Sequence, residues 1–154
     1  LKLTHDKKRI VTASWDNTIR IWDVDSHEMV GEPLKGHNNR IDALDVSKDG
    51  IIISGSDDNT VRAWEKNNGI YAATIIANHS NAVSGVSISD DSKFVVSGDG
   101  SGIIKISYLD REESNDVIRQ LRLNVFNSNL TNISEDSDVS KEFLYVLYQN
   151  GCEV

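Results

Sequence analysis

The sequence predicts an all-β protein assembled from repeated units of four short antiparallel strands. Three segments of the chain align with one another, namely residues 9–23, 51–65 and 94–107. Trp22 and Trp64 are 42 residues apart, and His37 and His79 are separated by the same step. A fixed step of this length is typical of proteins that repeat one supersecondary unit. No helical periodicity persists over the ten or more residues that an ordinary helix needs.

The second repeat shows its four expected strands most clearly. They are predicted near residues 41–46, 51–53, 61–64 and 70–76. The uninterrupted apolar run at 51–53 is typical of a strand that is covered on both faces. Residues 57–59 and 67–69 are rich in Asp, Asn and Gly, which favour turns. Residues 61–64 alternate between apolar and polar side chains, as a hairpin partner should.

The fourth strand of the third repeat is less distinct. Val117, Ile118 and Leu121 have a spacing that also suits a short helix, with Asp116 as its N-cap. Their position in the repeat favours a strand instead.

Composition excludes several classes of protein. Hydrophobic residues make up 38% of the 154 residues, and one Pro and one Cys are present. A disulfide framework and a cysteine-rich zinc site are therefore excluded. No apolar run approaches the roughly 18 residues of a membrane span. The net charge of −8 disfavours nucleic acid as a partner. The first residue is not Met and no signal peptide pattern follows, so we expect a segment of a longer cytoplasmic or nuclear protein.

The repeated residues resemble a known family. Gly36-His37, then a strand, then the run Ser54 to Asp58, then Trp64, resembles a WD repeat, the blade unit of a β-propeller. Trp22-Asp23 matches the dipeptide that gives the family its name. Two repeats match well, a third is degenerate, and residues 138–151 resemble part of a fourth.

The resemblance implies an incomplete β-propeller of about 3.5 four-stranded antiparallel blades. The expected blades span about residues 1–35, 36–77 and 78–123, with a degenerate partial blade at about 124–154. A larger, seven-bladed ring would be completed by the remaining blades of a full-length chain. Alternatively, two copies of the chain close one ring.

The resemblance also implies a buried chain of hydrogen bonds in each blade. In the second blade its members would be His37, Ser54, Asp58 and Trp64. In the first they would be Thr12, Asp16 and Trp22, and in the third only His79 and Ser97. Ser101 and Ser107 stand there in place of the acid and the indole. A carboxylate buried in a turn needs such partners.

Serine, histidine and aspartate together also suit a hydrolase, in which Ser54 would be reactive. That hypothesis is disfavoured because no Gly-x-Ser-x-Gly sequence occurs and the set recurs at the blade period. His37, His79, Asp16 and Asp58 have the chemistry of metal ligands, but no pair has the close spacing of known metal motifs. No catalytic residue, metal or cofactor is expected.

The resemblance also implies a protein-binding face, formed in each blade by the loop before the first strand and the hairpin between the second and third strands. The matching positions are Trp15, Arg40, Asp42, Asp57, Ala82, Ser84 and Gly100. An exposed Trp15 would be a suitable interface anchor, since Trp and Arg dominate binding hot spots. The equally weighted alternative is that Trp15 packs on its own hairpin.

The function that the resemblance implies is a non-enzymatic scaffold for protein–protein interaction, with other proteins or peptides as partners. The alternative is a substrate-recognition or sensor module of a larger enzyme complex, such as a ubiquitin ligase receptor or a signalling NTPase.

Overall fold

The computed structural model describes residues 1–109 and the backbone of residues 121–124. These residues form strands, turns and loops, and no helix occurs among them. Consequently this part of the chain contains no helix that could cross a membrane. The residues predicted to form a partial fourth blade lie outside the described part of the chain, as do residues 116–118.

Twelve strands form three antiparallel sheets of four strands each. Sheet 1 contains Lys2–Leu3 (β1), Arg9–Ala13 (β2), Thr18–Asp23 (β3) and Leu34–Lys35 (β4). Sheet 2 contains Ile41–Val46 (β5), Ile52–Ser56 (β6), Thr60–Asn67 (β7) and Ile70–Asn78 (β8). Sheet 3 contains Val83–Ile88 (β9), Phe94–Asp99 (β10), Ile103–Tyr108 (β11) and Leu121–Asn124 (β12). Within each sheet, strands that are consecutive in sequence are neighbours in space.

Local sequence explains the hairpins of sheet 2. All five residues of β6 are buried, as its apolar run predicted. Asn59 adopts a positive φ of 67° in the turn before β7. Asn68 and Gly69 both have positive φ and form the two-residue connection between β7 and β8. Asn-Gly is the preferred sequence for that turn, because both positions require a left-handed backbone.

Apolar residues fill the spaces between successive sheets. One cluster contains Val11 and Ile19 from sheet 1 together with Ile52 and Trp64 from sheet 2. A second cluster places Ile53 of sheet 2 with Val83 and others from sheet 3. The described sheets do not close a ring. The prediction of an all-β, incomplete propeller is therefore confirmed, and β12 is a fourth strand paired with β11.

Sheets 2 and 3 approach each other most closely at Gly55 of β6. A Cβ atom on Gly55 would lie 2.5 Å from Cγ1 of Val83 and 3.0 Å from Cγ1 of Val86. Real Cβ atoms do not approach other carbons so closely. Glycine at this position therefore allows β6 to pack directly against β9.

A single carboxylate also connects β1, β5 and β9, the first strands of the three sheets, which are called the inner strands below. Asp45 of β5 forms an ion pair with Lys2 of β1, with 3.1 Å between Oδ1 and Nζ. Its Oδ2 atom accepts a hydrogen bond from the backbone amide of Ile88 in β9, at 2.9 Å. Asp45 therefore holds both neighbouring sheets to sheet 2.

Candidate functional site

Four polar side chains in sheet 2 form a continuous hydrogen-bonded chain. His37 precedes β5, Ser54 lies in β6, Asp58 lies in the turn after β6, and Trp64 lies in β7. His37 Nδ1 is 2.8 Å from Asp58 Oδ2, and His37 Nε2 is 2.7 Å from Ser54 Oγ. The Trp64 indole N–H donates to Ser54 Oγ at 2.8 Å. The chain thus connects the loop before β5 with the second and third strands.

One protonation state satisfies every member of this chain. A neutral imidazole with its proton on Nδ1 donates to Asp58, and Nε2 then accepts the hydroxyl proton of Ser54. Burial lowers the pKa of His37, and the hydrogen bond and charge of Asp58 oppose burial only in part. His37 is therefore neutral at pH 7.

Asp58 is an anion in the same chain. Burial by itself raises the pKa of Asp58, but hydrogen bonds outweigh burial and hold it well below its usual range. The donors are the Thr60 hydroxyl, the Asn38 and Thr60 amides and the His37 ring. The buried carboxylate is therefore fully paired, as buried charges need to be.

Sheet 3 contains a similar chain with a different acid. His79 Nε2 is 2.8 Å from Ser97 Oγ, and His79 Nδ1 is 3.1 Å from Asp99 Oδ2. The prediction that this repeat keeps only a histidine and a serine missed Asp99. Asp99 is the last residue of β10. It lies two positions before Ser101, the residue that aligns with Asp58. A carboxylate beside the aligned turn position was the signal that could have identified it.

The indole of sheet 2 has no equivalent in sheet 3. In sheet 3, Ser107 of β11 pairs with Val95 of β10. In sheet 2 the equivalent position, opposite Ile52, is occupied by Trp64. The Ser107 hydroxyl is buried and has no hydrogen-bond partner among the described residues. Burial raises the pKa of Asp99, but the Ser101 hydroxyl, the Ile103 amide and the histidine lower it to about 2.

Sheet 1 contains only part of the predicted set. The Trp22 indole donates to Thr12 Oγ1 at 3.0 Å. Asp16 is instead exposed and forms an ion pair with Arg20, with 2.7 Å between Oδ2 and Nη2. Thr18 also donates to the carboxylate of Asp16. Among the described residues, no histidine contacts this carboxylate.

The Ser54–His37–Asp58 arrangement has the connectivity of a hydrolytic triad but not its accessibility. Ser54 has 0% of its surface exposed. Its hydroxyl already accepts the Trp64 indole proton and contacts the imidazole. A serine nucleophile has to reach a substrate carbonyl near an oxyanion hole. The position between packed strands does not provide that access.

Acidification is expected to lower the stability of the fold. Burial lowers the pKa of His37 and His79 in the folded state, whereas an unfolded histidine titrates near pH 6.5. Below that pH the unfolded chain binds more protons, so the free energy of unfolding falls by at most about 1.4 kcal/mol per pH unit for each imidazole. The low pKa values of Asp58 and Asp99 extend the loss below about pH 4. Urea unfolding monitored by Trp fluorescence from pH 8 to pH 3 measures this dependence.

The control for this prediction is the double variant His37→Gln/His79→Gln. It should lose the slope between pH 6.5 and pH 5 while keeping the acid phase below pH 4. A stability that is constant or rises between pH 7 and pH 5 in the unmodified chain would contradict the assignment of buried, neutral imidazoles.

Four of the residues predicted for the binding face form a connected cluster. Trp15 is 74% exposed, and its indole donates to Asp42 Oδ1 at 3.1 Å. The guanidinium carbon of Arg40 lies 5.4 Å from the centre of the Trp15 ring. Arg40 also forms ion pairs with Asp57 and Asp42, at 2.5 and 3.4 Å. We call these four residues the Trp15 cluster.

The other three predicted face residues belong to sheet 3. The Gly100 amide donates to the Ala82 carbonyl at 3.0 Å, as the Asp57 amide donates to the Arg40 carbonyl in sheet 2. Ser84 is exposed in β9. In both sheets the loop before the first strand is therefore connected to the turn after the second. The described contacts place these three residues outside the Trp15 cluster.

The chain is similar to one characterised family across all three sheets. The sequence pattern of WD40, described as WD domain, G-beta repeat, matches residues 1–23, 28–65 and 72–106. Each matched segment ends within the third strand of a sheet, and together the segments cover more than half of the chain. No match to the chain was found among the curated proteins.

Proposed function

The chain belongs to the WD40 repeat family, and from that premise we propose that it is a non-enzymatic scaffold for other proteins, acting in the cytoplasm or nucleus. WD40 repeats generally mediate protein–protein interaction. The Trp15 cluster is proposed as the centre of the binding face. Ala82, Ser84 and Gly100 are proposed to extend the face over sheet 3.

The observation that carries the proposal is the orientation of an exposed indole. Trp15 presents most of its surface to solvent, yet the hydrogen bond to Asp42 and the contact with Arg40 hold it in place. A side chain that is already ordered loses little conformational entropy when a partner binds. Trp and Arg are also the residues that most often dominate binding energy. Neither packing of the core nor pairing of strands requires Trp15 to be exposed in this way.

The buried hydrogen-bonded residues have a different role in the proposal. His37, Ser54, Asp58 and Trp64 stabilise sheet 2, while His79 and Ser97 do so in sheet 3 with Asp99. Thr12 and Trp22 are the corresponding pair in sheet 1, and Asp16 stabilises its turn through Arg20 and Thr18. The members in sheets 2 and 3 are largely shielded from any partner on the surface, and Asp16 is occupied within its own hairpin. The interaction is therefore assigned to the loops and the stability to these hydrogen-bonded residues.

Substitution of Trp15 tests the binding face. A partner captured from a cell extract by the unmodified chain is identified and purified, and its Kd is measured for each variant. Trp15→Ala is expected to weaken binding by at least about 30-fold, because a hot-spot residue contributes 2 kcal/mol or more. The melting temperature should change little, since the removed side chain is mostly exposed.

Leu3→Ala is the matched control. Leu3 is also an exposed apolar residue, 51% accessible, but it lies outside the Trp15 cluster. This variant should bind like the unmodified chain. Equal binding by the Trp15→Ala variant would refute the proposed face, and binding lost equally in both variants would show that the loss is not specific to Trp15.

A further inference from the structure

A groove lies between sheets 1 and 2 at their outer rim. It has a volume of about 420 Å³ and is open to solvent. Val30 of the connection between β3 and β4 and Leu34 of β4 line one side. Ile70, Tyr71 and Ala73 of β8 line the other. Ile70 is 75% exposed. The groove therefore has an apolar lining and is bordered by a solvent-exposed strand, β8.

β8 forms the outer edge of sheet 2, and no strand of the described residues pairs with its outer side. Asn67 and Ile70 close the two-residue hairpin. The backbone N–H and C=O groups of alternate β8 residues therefore point toward β7, and those of the residues between them point outward. Tyr71, Ala73 and Ile75 are the outward-facing residues. No other described residue forms a backbone hydrogen bond with these three. As far as the structure describes the chain, this edge is therefore open to another strand.

The sequence of β8 leaves that edge without the usual protection. Edge strands are generally shielded by charged side chains, by Pro or by shortness. The nine residues of β8 include no charged residue and no Pro. Its pairing with β7 shifts register only near Ile76, beyond the outward-facing residues. In addition, Glu65, Lys66 and Asn67 of β7 pair with β8 but not with β6, so the hairpin extends past the rest of sheet 2.

The charges around the groove favour an acidic occupant. Arg9, Lys35 and Lys66 line it, with Glu32 as the only carboxylate among the lining residues. Neither lysine forms an ion pair within the described part of the chain. Lys66 instead lies 5.9 Å from the centre of the Tyr71 ring. This local excess of positive charge occurs in a protein whose net charge is −8.

We propose that the outer edge of β8 binds an extended, acidic peptide segment of a partner protein by strand addition. The peptide backbone pairs with the outward groups of Tyr71, Ala73 and Ile75. Its side chains on the groove side enter the apolar space beside Val30 and Leu34, because alternate residues of an added strand face the same way. Its acidic residues interact with Lys35 and Lys66. This site is distinct from the Trp15 cluster, because no residue of that cluster lines the groove.

The test uses a defined synthetic probe. It is a seven-residue, dye-labelled peptide with three β-branched apolar residues at its centre and two acidic residues at each end. One comparison peptide has lysines in place of the acids, and a second is N-methylated at alternate central amides. Fluorescence anisotropy measures the Kd of each peptide for the unmodified chain. Saturable binding of the acidic peptide is expected, with at least about tenfold weaker binding of both comparison peptides.

Two charge-reversed variants separate the groove from the general surface. Lys35→Glu/Lys66→Glu should weaken binding of the acidic peptide by at least about tenfold, since two charge pairs become repulsive. Lys7→Glu/Lys93→Glu makes the same change in net charge at exposed sites outside the groove and should leave the Kd within about twofold. Trp15→Ala should also leave it unchanged, so failure of the scaffold proposal is distinguishable from failure of this one.

Several results would overturn the proposal. These are the absence of saturable binding up to 1 mM peptide, equal binding of the N-methylated peptide, and equal weakening by both charge-reversed variants. Sedimentation supplies a further outcome. If the chain forms a dimer that the acidic peptide does not dissociate and that Ala73→Pro abolishes, a second copy rather than an acidic peptide occupies the edge.

Discussion

Replacing Gly55 by alanine is expected to lower the free energy of unfolding by about 2–3 kcal/mol, because overpacking at a rigid contact is costly. The added methyl group would lie 2.5 Å from Cγ1 of Val83, and Val83 is fully buried between sheets 2 and 3. Neither strand can move without disturbing the ladder that it forms with its neighbours. Urea unfolding of the variant and the unmodified chain at pH 7.5 measures the difference.

Gly98→Ala is the matched control for this prediction. Gly98 occupies the aligned position in sheet 3, but no described atom lies within 4 Å of the position its Cβ would take. The control should be much less destabilised. In the double variant Gly55→Ala/Val83→Ala the loss of unfolding free energy should be smaller, by at least about 1 kcal/mol, than the sum of the losses in the two single variants. The reason is that the new methyl group fills space that Val83 vacates. Strict additivity would show that the contact is not the cause.

Replacing Asp58 by alanine is expected to cost about 3 kcal/mol of stability. The substitution removes the acceptor for the His37 ring, for the Asn38 amide and for both donors of Thr60. Donors that are left buried without a partner lose their hydration and gain nothing in return. Thermal and urea unfolding of the variant measure the loss.

Two further variants define what Asp58 contributes. Asp58→Asn retains one acceptor oxygen in the turn and should be intermediate in stability. Asp16→Ala changes the aligned residue of sheet 1, whose carboxylate is exposed and contacts only its own hairpin, so this variant should be far less affected. If Asp16→Ala and Asp58→Ala were equally destabilised, the buried hydrogen-bonded chain would not be the source of the effect.

The repeat pattern predicted the strands because it combines two physical requirements. The apolar run before Ser54 needs cover on both faces, and the Asn-Gly pair needs a left-handed turn, so each fixes its own local structure. The role of Asp99 follows less directly from the alignment, which shows only that a carboxylate lies near the aligned turn position. Its carboxylate reaches His79 from the last residue of β10 rather than from the turn, and that reach depends on backbone geometry that an alignment of residue types does not contain.

The environment of Trp15 was also undetermined by sequence. An indole in this loop could have packed on its own hairpin, and only the positions of Arg40 and Asp42 after folding hold it outward. The groove beside β8 was missed altogether. It depends on the extra length of the hairpin beyond β6, which becomes apparent only when Glu65 and its neighbours are seen to pair on one side.

The contacts of Asp45 with both neighbouring sheets affect how the protein responds to local unfolding. Detaching sheet 1 leaves this carboxylate without Lys2, and detaching sheet 3 leaves it without the Ile88 amide. Either event weakens the anchoring of sheet 2, so the opening of one repeat destabilises the repeats beside it. In repeat proteins such nearest-neighbour coupling determines cooperativity. The inner strands are therefore expected to melt together, while the periphery of each repeat frays independently.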